Sequence, residues 1–563
     1  MDADVIVVGA GLAGLVTAHE LTRAGKRVIV LDQENRNNLG GQAFWSFGGL
    51  FLIDSPEQRR LGVRDSLELA RSDWAGTAGF DRLSTDRTSP ATAEDSQATR
   101  WADAYLDFAA GPKRAYLQQN GIDLTPIVGW AERGGGLADG HGNSVPRFHI
   151  AWGTGTGVVR PFAESLLAAE NAGALRYLTR HRVTDLLVEG GAVTGVHGEL
   201  LVEDTSPRAV ASNRTVEGEF SFTAQAVVMA TGGIGANHDL VRRYWPERLG
   251  TPPARMLTGV PAHVDGSGLE LAERAGAAWV NRDRMWHYTE GIADHSPVWP
   301  GHGIRILPGP SPLWFDALGR RLPAPHHPGY DTLATLGHLR TGDLQPHEHS
   351  WFIVTRKMLH KEFALSGSEQ NPDLTSGSRL EVLRQRLSGR GTGPVEAFRT
   401  RGADFLTADT LGELVPRMNA LVGEDLLDVS GLRRQIEARD LQIGAAFSKD
   451  SQIQGIHNAR RYLGDKLVRV SAPHRVLDPD NGPLTAVRLH ILTRKSLGGL
   501  QTDLGSRVLD TRGDVLPGLW AVGEAAGFGG GGVHGYRSLE GTFLGGCLFT
   551  GLTAGRDLAA SLT

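Results

Sequence analysis

The sequence predicts an α/β fold in which a domain built on a parallel sheet is interrupted by an inserted domain of α+β type. The first observation behind this prediction is a strand, helix and strand pattern that opens the chain, at residues 4–8, 12–24 and 27–31. The second is the return of a strand followed by glycines near the C-terminus, at 519–522. Because the segment between these two parts is less regular, one domain interrupted by another explains the order best.

The composition supports a globular protein with an unusual glycine content. The chain has 563 residues, of which 74 are glycine and 27 are proline, and 40% are hydrophobic. The glycine fraction is about twice the usual value, but no Gly-X-Y period accompanies it, so collagen-like and disordered classes are excluded. The glycines are therefore expected to form turns or to bring the backbone close to a ligand.

Charge and segment composition exclude several other classes. The net charge is −5 without any basic block, so no nucleic-acid partner is expected. No run of 18 uncharged apolar residues is present, so no membrane span is expected, and the strand pattern at Val5 leaves no room for a signal peptide, which favours a cytoplasmic location. Cys547 is the single cysteine, which excludes an internal disulfide and a cysteine-ligated metal; no metal site is predicted. The sequence leaves the oligomeric state open.

The first strand is followed by the glycine pattern Gly9-Ala10-Gly11-Leu12-Ala13-Gly14. In G-x-G-x-x-G turns the first glycine permits the tight turn, the second the approach of a pyrophosphate, and the third close packing of helix on strand. Asp32 ends the second strand 18 residues after Gly14, near the spacing of an acid that binds a ribose. The unit therefore predicts a Rossmann-like dinucleotide site, but it does not distinguish FAD from NAD.

Further elements follow in order along the chain. The polar stretch 84–99 is typical of a surface loop, and residues 181–199 alternate around Gly190-Gly191 as in a hairpin. Residues 226–231 predict another buried strand, and 543–560 predict a C-terminal helix.

Four segments together resemble the fumarate reductase and 3-ketosteroid Δ1-dehydrogenase superfamily of flavoproteins. They are Asp32, Gly40-Gly41, Ala230-Thr231-Gly232-Gly233 and Gly523-Glu524. In that family each of these segments holds FAD, and here they extend over almost the whole chain. The resemblance implies a glutathione-reductase-like FAD domain at 1–281 and 487–563, with the inserted substrate-capping domain at 282–486.

The resemblance also implies the residues that contact FAD. They are Gly9, Gly11, Leu12, Ala13, Gly14, Asp32, Gln33, Gly40, Gly41, Gln42, Ala43, Phe47, Gly48, Gly49, Val183, Ala230, Thr231, Gly232, Gly523, Glu524, Leu539 and Leu544. The residue before Gln42 is not the histidine that binds flavin covalently in the succinate dehydrogenase branch, so FAD is expected to be noncovalent. Haem domains and cysteine clusters are absent from the sequence, so an external electron acceptor is expected.

The chemistry implied by the resemblance is oxidation of a CH–CH bond beside a carbonyl. A base takes the α-proton, flavin N5 takes the β-hydride, and donors stabilise the enolate oxygen. Tyr330 follows the family-like turn Gly319-Arg320-Arg321-Leu322 and best fits the place of the proton-transfer residue. A packed ring with a capping hydroxyl is the structural alternative. A neutral tyrosine also serves the reverse direction, so the direction stays open.

The carbonyl-oxygen site is expected in the glycine-rich segment 529–546. The family pattern places Gly541 on the glycine that binds the ketone, with Tyr536 or Arg537 as the second donor; the choice between these two stays open. For Arg537 a structural ion pair is the alternative.

A second substrate-side segment contains Arg494 and Lys495 where fumarate reductases carry a substrate-binding histidine. These cations indicate a polar or anionic group on the substrate, or else a surface cation pair. Several aromatic residues in irregular segments are candidates for lining a flat cleft, although each is more often a core residue: Trp130, Trp152, Trp286, Tyr288, Trp299 and Trp314.

The function expected from these observations is an FAD-dependent dehydrogenase acting on a cyclic ketone or enone. The first alternative is an ene reductase resembling fumarate reductase, in which Arg537 and Arg494 clamp a small carboxylate. The second is a noncatalytic flavoprotein that senses redox state or relays electrons.

Overall fold

The structure is a computed structural model that describes residues 1–83, 93–135, 140, 142–380, 382, 384 and 391–562. Part of the loop predicted at 84–99, residues 84–92, lies outside the described residues. The end of that prediction is wrong, because a helix already begins at Ser96.

The described residues form a mixed α/β structure. The α-helices are Leu12–Arg23, Pro56–Arg60, Leu67–Ala78, Ser96–Ala110, Lys113–Gln119, Thr154–Asn171, His238–Arg243, Ser267–Arg274, Thr332–Leu339, Arg356–Glu362, Pro372–Thr375, Gly393–Arg401, Leu411–Val422, Val429–Ile443, Ser451–Ala459, Leu463–Val468 and Thr542–Ser561. The β-strands are Val5–Val8, Val28–Asp32, Gly49–Phe51, Leu124–Gly129, Phe148–Ala151, Leu175–Thr179, His181–Glu189, Ala192–Leu201, Val216–Thr223, Ala226–Met229, Leu257–Thr258, Trp279–Val280, Met285–Ala293, Gly303–Pro308, Leu313–Phe315, His349–Thr355, Phe363–Leu365, Phe405–Ala408, Leu484–Ser496, Gly499–Leu500, Arg507–Leu509 and Val515–Ala521.

The first sheet is the parallel sheet that the sequence predicts. Its central strand, Val5–Val8, pairs in parallel with Val28–Asp32 on one side and Ala226–Met229 on the other. Val515–Ala521 extends it in parallel beyond Ala226–Met229, so residues near the C-terminus complete the sheet that begins at the N-terminus. Val5–Val8 and Ala226–Met229 are apolar and fully buried, as expected for strands covered on both faces of the sheet.

The hairpin predicted around Gly190-Gly191 is confirmed: His181–Glu189 and Ala192–Leu201 pair antiparallel. The predicted C-terminal helix is confirmed as Thr542–Ser561. It lies close to the first helix, because a Cβ added at Gly551 would be 2.7 Å from the carbonyl oxygen of Ala13.

The second large sheet is mostly antiparallel and is built around the 13-residue strand Leu484–Ser496. This strand pairs with His349–Thr355 along its first half, while Ser496 at its end pairs with Met285. A hydrophobic core formed by residues between 292 and 489 packs on this sheet, and a larger core surrounds the parallel sheet. The domain limits at 281/282 and 486/487 stay predictions. Within the described part of the chain, no helix combines the length and the apolar character that crossing a membrane requires.

Candidate functional site

A cavity of about 550 Å³ extends from the first turn of the parallel sheet to the second sheet. One part of its lining comes from segments of the predicted FAD domain, around residues 8–13, 31–49, 181–184, 230–232, 263–274 and 522–547. The other part includes Tyr288, Leu307, Ser366, Arg494 and Lys495. The two sets of predicted residues, for cofactor and for substrate, therefore meet in one space.

The glycine turn at the start of the cavity has the geometry that the sequence predicts. Gly9 has φ of +105°, and a Cβ there would be 2.5 Å from the carbonyl oxygen of Ala230. A Cβ on Gly14 would be 2.2 Å from the carbonyl oxygen of Gly9, so only glycine allows the helix to lie this close to the strand. Gly11 precedes the helix Leu12–Arg23 without a side-chain cap, and this end of the helix faces the cavity. Such an end offers unpaired N–H groups to phosphates.

Polar groups along the lining fit a dinucleotide. Asp32 lines the cavity, and its two carboxylate oxygens accept the backbone N–H groups of Ala10 and Glu34, each at 2.8 Å. Burial raises the pKa of Asp32. The hydroxyl of Thr231, also in the lining, is buried and has no hydrogen-bond partner among the described residues. An unpaired buried hydroxyl beside glycine backbone fits a polar cofactor, so these residues fit FAD.

Glu524 lies at the other side of the cofactor region. Its Oε1 accepts the backbone N–H of Ser496 at 2.7 Å, and the Gln42 amide donates to Oε2. Burial raises the pKa of Glu524 to about 7. Gln42 and Glu524 are 482 residues apart in the chain, and their contact brings the two predicted FAD segments together.

Most of the predicted site residues line this one cavity. They are Gly9, Gly11, Leu12, Ala13, Asp32, Gln33, Gly40, Gly41, Gln42, Ala43, Phe47, Gly49, Val183, Ala230, Thr231, Gly232, Gly523, Glu524, Gly541 and Leu544. The predicted residues outside the lining are Gly14, Gly48, Leu539, Tyr330, Tyr536 and Arg537. Gly14 nevertheless has the packing role assigned to it.

The structure does not bring Tyr330 to the cavity. Its phenol packs against the helix Ser451–Ala459, where a Cβ on Gly455 would be 2.6 Å from the phenol oxygen. Burial raises the pKa of Tyr330. The position of Tyr330 outside the cavity lining favours the structural alternative, a packed ring, over the expected proton-transfer role, which stays a prediction.

Tyr536 and Arg537, the two candidates for the second donor to the carbonyl oxygen, also lie outside the cavity lining. The Tyr536 hydroxyl donates to Asp81 Oδ2 at 2.7 Å, and Arg284 lies over the Tyr536 ring with its guanidinium carbon 4.4 Å from the centroid. Arg537 is buried, with Nη1 2.9 Å from Asp331 Oδ2. Of the three residues expected around the carbonyl oxygen, only Gly541 lines the cavity. The structure thus favours the ion-pair alternative for Arg537.

Tyr288 is the tyrosine that the structure places in the cavity. Lys495 Nζ donates to its hydroxyl at 3.0 Å, and the Arg305 guanidinium carbon is 3.9 Å from its ring centroid. The sequence indicates Tyr288 only as one of several aromatic candidates for lining a cleft. Its neighbour His287 points elsewhere and packs on Trp245 at 5.0 Å between ring centroids.

Charged groups surround the Tyr288 and Lys495 side chains. Arg305 donates from Nη1 to Glu540 Oε1 and from Nη2 to Glu132 Oε1, each at 2.6 Å. Desolvation lowers the pKa of Lys495 to about 7, whereas it raises the pKa of Tyr288. A lysine that titrates near neutral pH beside a protonated phenol is suited to proton transfer.

Arg494, next to Lys495, also lines the cavity and donates from Nη1 to the Ser366 hydroxyl at 3.2 Å. The expectation of a substrate-side cation pair is thereby favoured over a surface pair, since both residues line the cavity. Both residues lie near the end of the strand Leu484–Ser496. At this end the Ser496 N–H donates to Glu524, which lies in the cofactor region.

Comparisons with known proteins agree with this fold. A KsdD-like steroid dehydrogenase of Mycobacterium tuberculosis is 56% identical over 562 residues, which cover 100% of this chain and 96% of the relative. The structure of a 3-ketosteroid Δ1-dehydrogenase from Sterolibacterium denitrificans is 17% identical with a TM-score of 0.62, covering 100% of both chains. A flavocytochrome c3 fumarate reductase is 19% identical with a TM-score of 0.59, covering 99% of this chain and 78% of the other. The two structures confirm the predicted fold class.

The family model described as FAD binding domain matches residues 4–544. This range contains the glycine turn, Asp32, the segment around Gly232 and the Gly523-Glu524 pair, all of which meet in the cavity. The chain therefore belongs to the FAD binding domain family and is an FAD-dependent oxidoreductase.

Proposed function

We propose that this protein is an FAD-dependent dehydrogenase that oxidises a CH–CH bond beside the carbonyl of a cyclic ketone, in the manner of a 3-ketosteroid Δ1-dehydrogenase. The observation that carries the proposal is the pair formed by the Tyr288 hydroxyl and Lys495 Nζ, 3.0 Å apart inside the cavity. The name of the relative that is 56% identical, a steroid dehydrogenase, supports a ring ketone as substrate.

The pair moves the substrate proton. Bound FAD supplies the two-electron acceptor for the hydride. With Lys495 uncharged, the Tyr288 hydroxyl passes its proton to Nζ as the phenol oxygen takes the α-proton of the substrate. The Arg305 guanidinium over the Tyr288 ring favours the negative charge that develops on the phenol oxygen.

The substrate carbonyl oxygen is held at Gly541 in this proposal. Gly541 precedes the 20-residue helix Thr542–Ser561, has no side-chain cap and lines the cavity. The positive end of a helix stabilises an oxygen that gains negative charge as the α-proton leaves. Gly541 keeps the role that the sequence assigned to it, whereas Tyr288 takes the role expected of Tyr330.

The test is anaerobic mixing of the purified, FAD-loaded protein with a 3-ketosteroid while the flavin absorbance is recorded. Bleaching of the oxidised flavin is expected, with formation of the unsaturated ketone. The proposal fails if ketosteroids and other cyclic ketones leave the flavin oxidised. Reoxidation of the chemically reduced protein by fumarate would then support the ene reductase alternative.

A further inference from the structure

Arg494 and Ser366 form a polar site in the cavity that the proposed proton transfer does not use. Arg494 Nη1 donates to Ser366 Oγ at 3.2 Å, and the backbone N–H of Arg305 donates to the same oxygen, also at 3.2 Å. These two bonds occupy both acceptor positions of the Ser366 oxygen, so its own proton remains to be donated. Both side chains line the cavity. The site therefore presents donors to whatever binds beside it.

The charge of Arg494 is not balanced by an ion pair. Among the residues that the structure describes, no carboxylate oxygen lies within 4.0 Å of Arg494 or of Lys495. The buried arginines Arg147, Arg284 and Arg305 each contact two carboxylates at 2.6 to 2.8 Å. Arg494 thus differs from the arginines that this fold uses for structural ion pairs.

Two carboxyl groups interact electrostatically with Arg494 without forming an ion pair with it: Glu540, which is already paired with Arg305, and Glu369. Glu369 interacts electrostatically with Arg494, but burial raises its pKa to about 7, so near neutral pH it carries only part of a negative charge. A guanidinium offers a planar set of donors that matches a carboxylate. An anionic ligand group would satisfy both the charge and the free Ser366 proton.

We propose that the substrate of this enzyme is a keto acid: a ring ketone that also carries a carboxylate, which binds Arg494 and Ser366 while the carbon beside the ketone lies at Tyr288. The inference rests on the proposed dehydrogenase function and narrows its substrate class. A neutral ketone lacks the group that would pair with Arg494, so it is expected to bind more weakly than the corresponding keto acid.

The experiment compares matched acid and amide ligands. Two pairs are used, a cyclohexanone and a 3-ketosteroid, each carrying either a carboxylate or the corresponding primary amide. Dissociation constants are measured from the shift of the flavin spectrum under anaerobic conditions, and flavin reduction is recorded in the same mixtures. The variants are Arg494→Gln, Arg494→Lys and, as a matched control, Arg512→Gln. The Arg512 side chain is 79% exposed and its ion pairs lie on the surface. FAD content and Tm are recorded for each variant to show that it is folded.

In at least one pair the acid is expected to bind 10- to 100-fold more tightly than the amide, in the range of a hydrogen bond to a charged group. Arg494→Gln should remove this preference without weakening amide binding, Arg494→Lys should retain part of it, and Arg512→Gln should leave it unchanged. Equal binding of acid and amide in both pairs, or an acid preference that survives in Arg494→Gln, would overturn the inference. Acid binding that depends on Arg494 without flavin reduction would support the anion site and reject the dehydrogenase function. Flavin reduction by the acid and the amide alike, with equal affinity for both, would support the dehydrogenase function and reject the anion site.

Discussion

Replacing Lys495 by Met removes the amine that contacts the Tyr288 hydroxyl at 3.0 Å while keeping an apolar chain of similar length. Desolvation lowers the pKa of Lys495 to about 7. Since the uncharged amine accepts the phenol proton, flavin reduction by a ketone should be fastest above pH 7. Below pH 7 the rate should fall about tenfold for each pH unit as Lys495 becomes protonated.

In Lys495→Met this inflection near pH 7 should disappear, and the plateau rate should fall by about 10²- to 10⁴-fold, the usual contribution of a positioned acid or base. Stopped-flow reduction under anaerobic conditions between pH 5 and 9 measures both effects. Lys449→Met is the control, because Lys449 is exposed. A profile that is flat in the native protein, or an inflection that persists in Lys495→Met, would refute the assignment.

The stability of the fold should follow the same titration. The folded pKa of about 7 lies below the usual value of 10.5, so between these two pH values the unfolded chain binds more protons than the folded chain. The free energy of unfolding should therefore rise with pH across this window, and in Lys495→Met this part of the rise should be missing. Urea denaturation at several pH values measures it; an unchanged slope in the variant would contradict the depressed pKa.

Three further changes test other parts of the structure. Tyr288→Phe should keep bound FAD but reduce turnover by about 10²- to 10⁴-fold, whereas Tyr330→Phe should reduce it less than threefold; the opposite order in a steady-state assay would restore the role expected from the sequence. Gly14→Val should lose bound FAD and lower Tm, because its Cβ would be 2.2 Å from the carbonyl oxygen of Gly9, and a variant that purifies with full flavin absorbance would contradict that packing. Arg305→Met removes the 2.6 Å ion pairs of two buried carboxylates, Glu132 and Glu540, and should lower the free energy of unfolding by about 3 to 5 kcal/mol at neutral pH. A loss below 1 kcal/mol in urea denaturation would show that Arg305 does not hold them.

The cofactor half of the site was predictable because it depends on backbone geometry close in the chain. The turn from Gly9 to Gly14 and the acid at Asp32 lie within one strand, helix and strand unit, where spacing alone fixes which atoms meet. Segments far apart, such as those of Gln42 and Glu524, were found only through the resemblance to a known family. The structure brings those two side chains together.

The substrate half was harder to predict because it depends on tertiary contacts. Tyr288 and Lys495 are 207 residues apart, and no local pattern indicates that their strands pair. Nearly all of the strand Met285–Ala293 is buried, so alternation does not show which residue faces a cavity. The prediction for Tyr330 depends on its offset from a glycine turn, and that offset does not determine whether the ring points toward the cavity or toward the Ser451–Ala459 helix.

The strand Leu484–Ser496 restricts movement of the second sheet relative to the cofactor region. At about 3.3 Å per residue, its 13 residues extend about 40 Å, from the middle of the second sheet to the cofactor region. It carries Arg494 and Lys495 near the end at which the Ser496 N–H is bonded to Glu524 and the Ser496 hydroxyl accepts the Ile234 N–H. A rigid rotation of the second sheet away from the cofactor would have to bend this strand or break those bonds. The separation of Arg494 from Glu524 is therefore fixed by this one strand and its terminal hydrogen bonds on this side of the cavity.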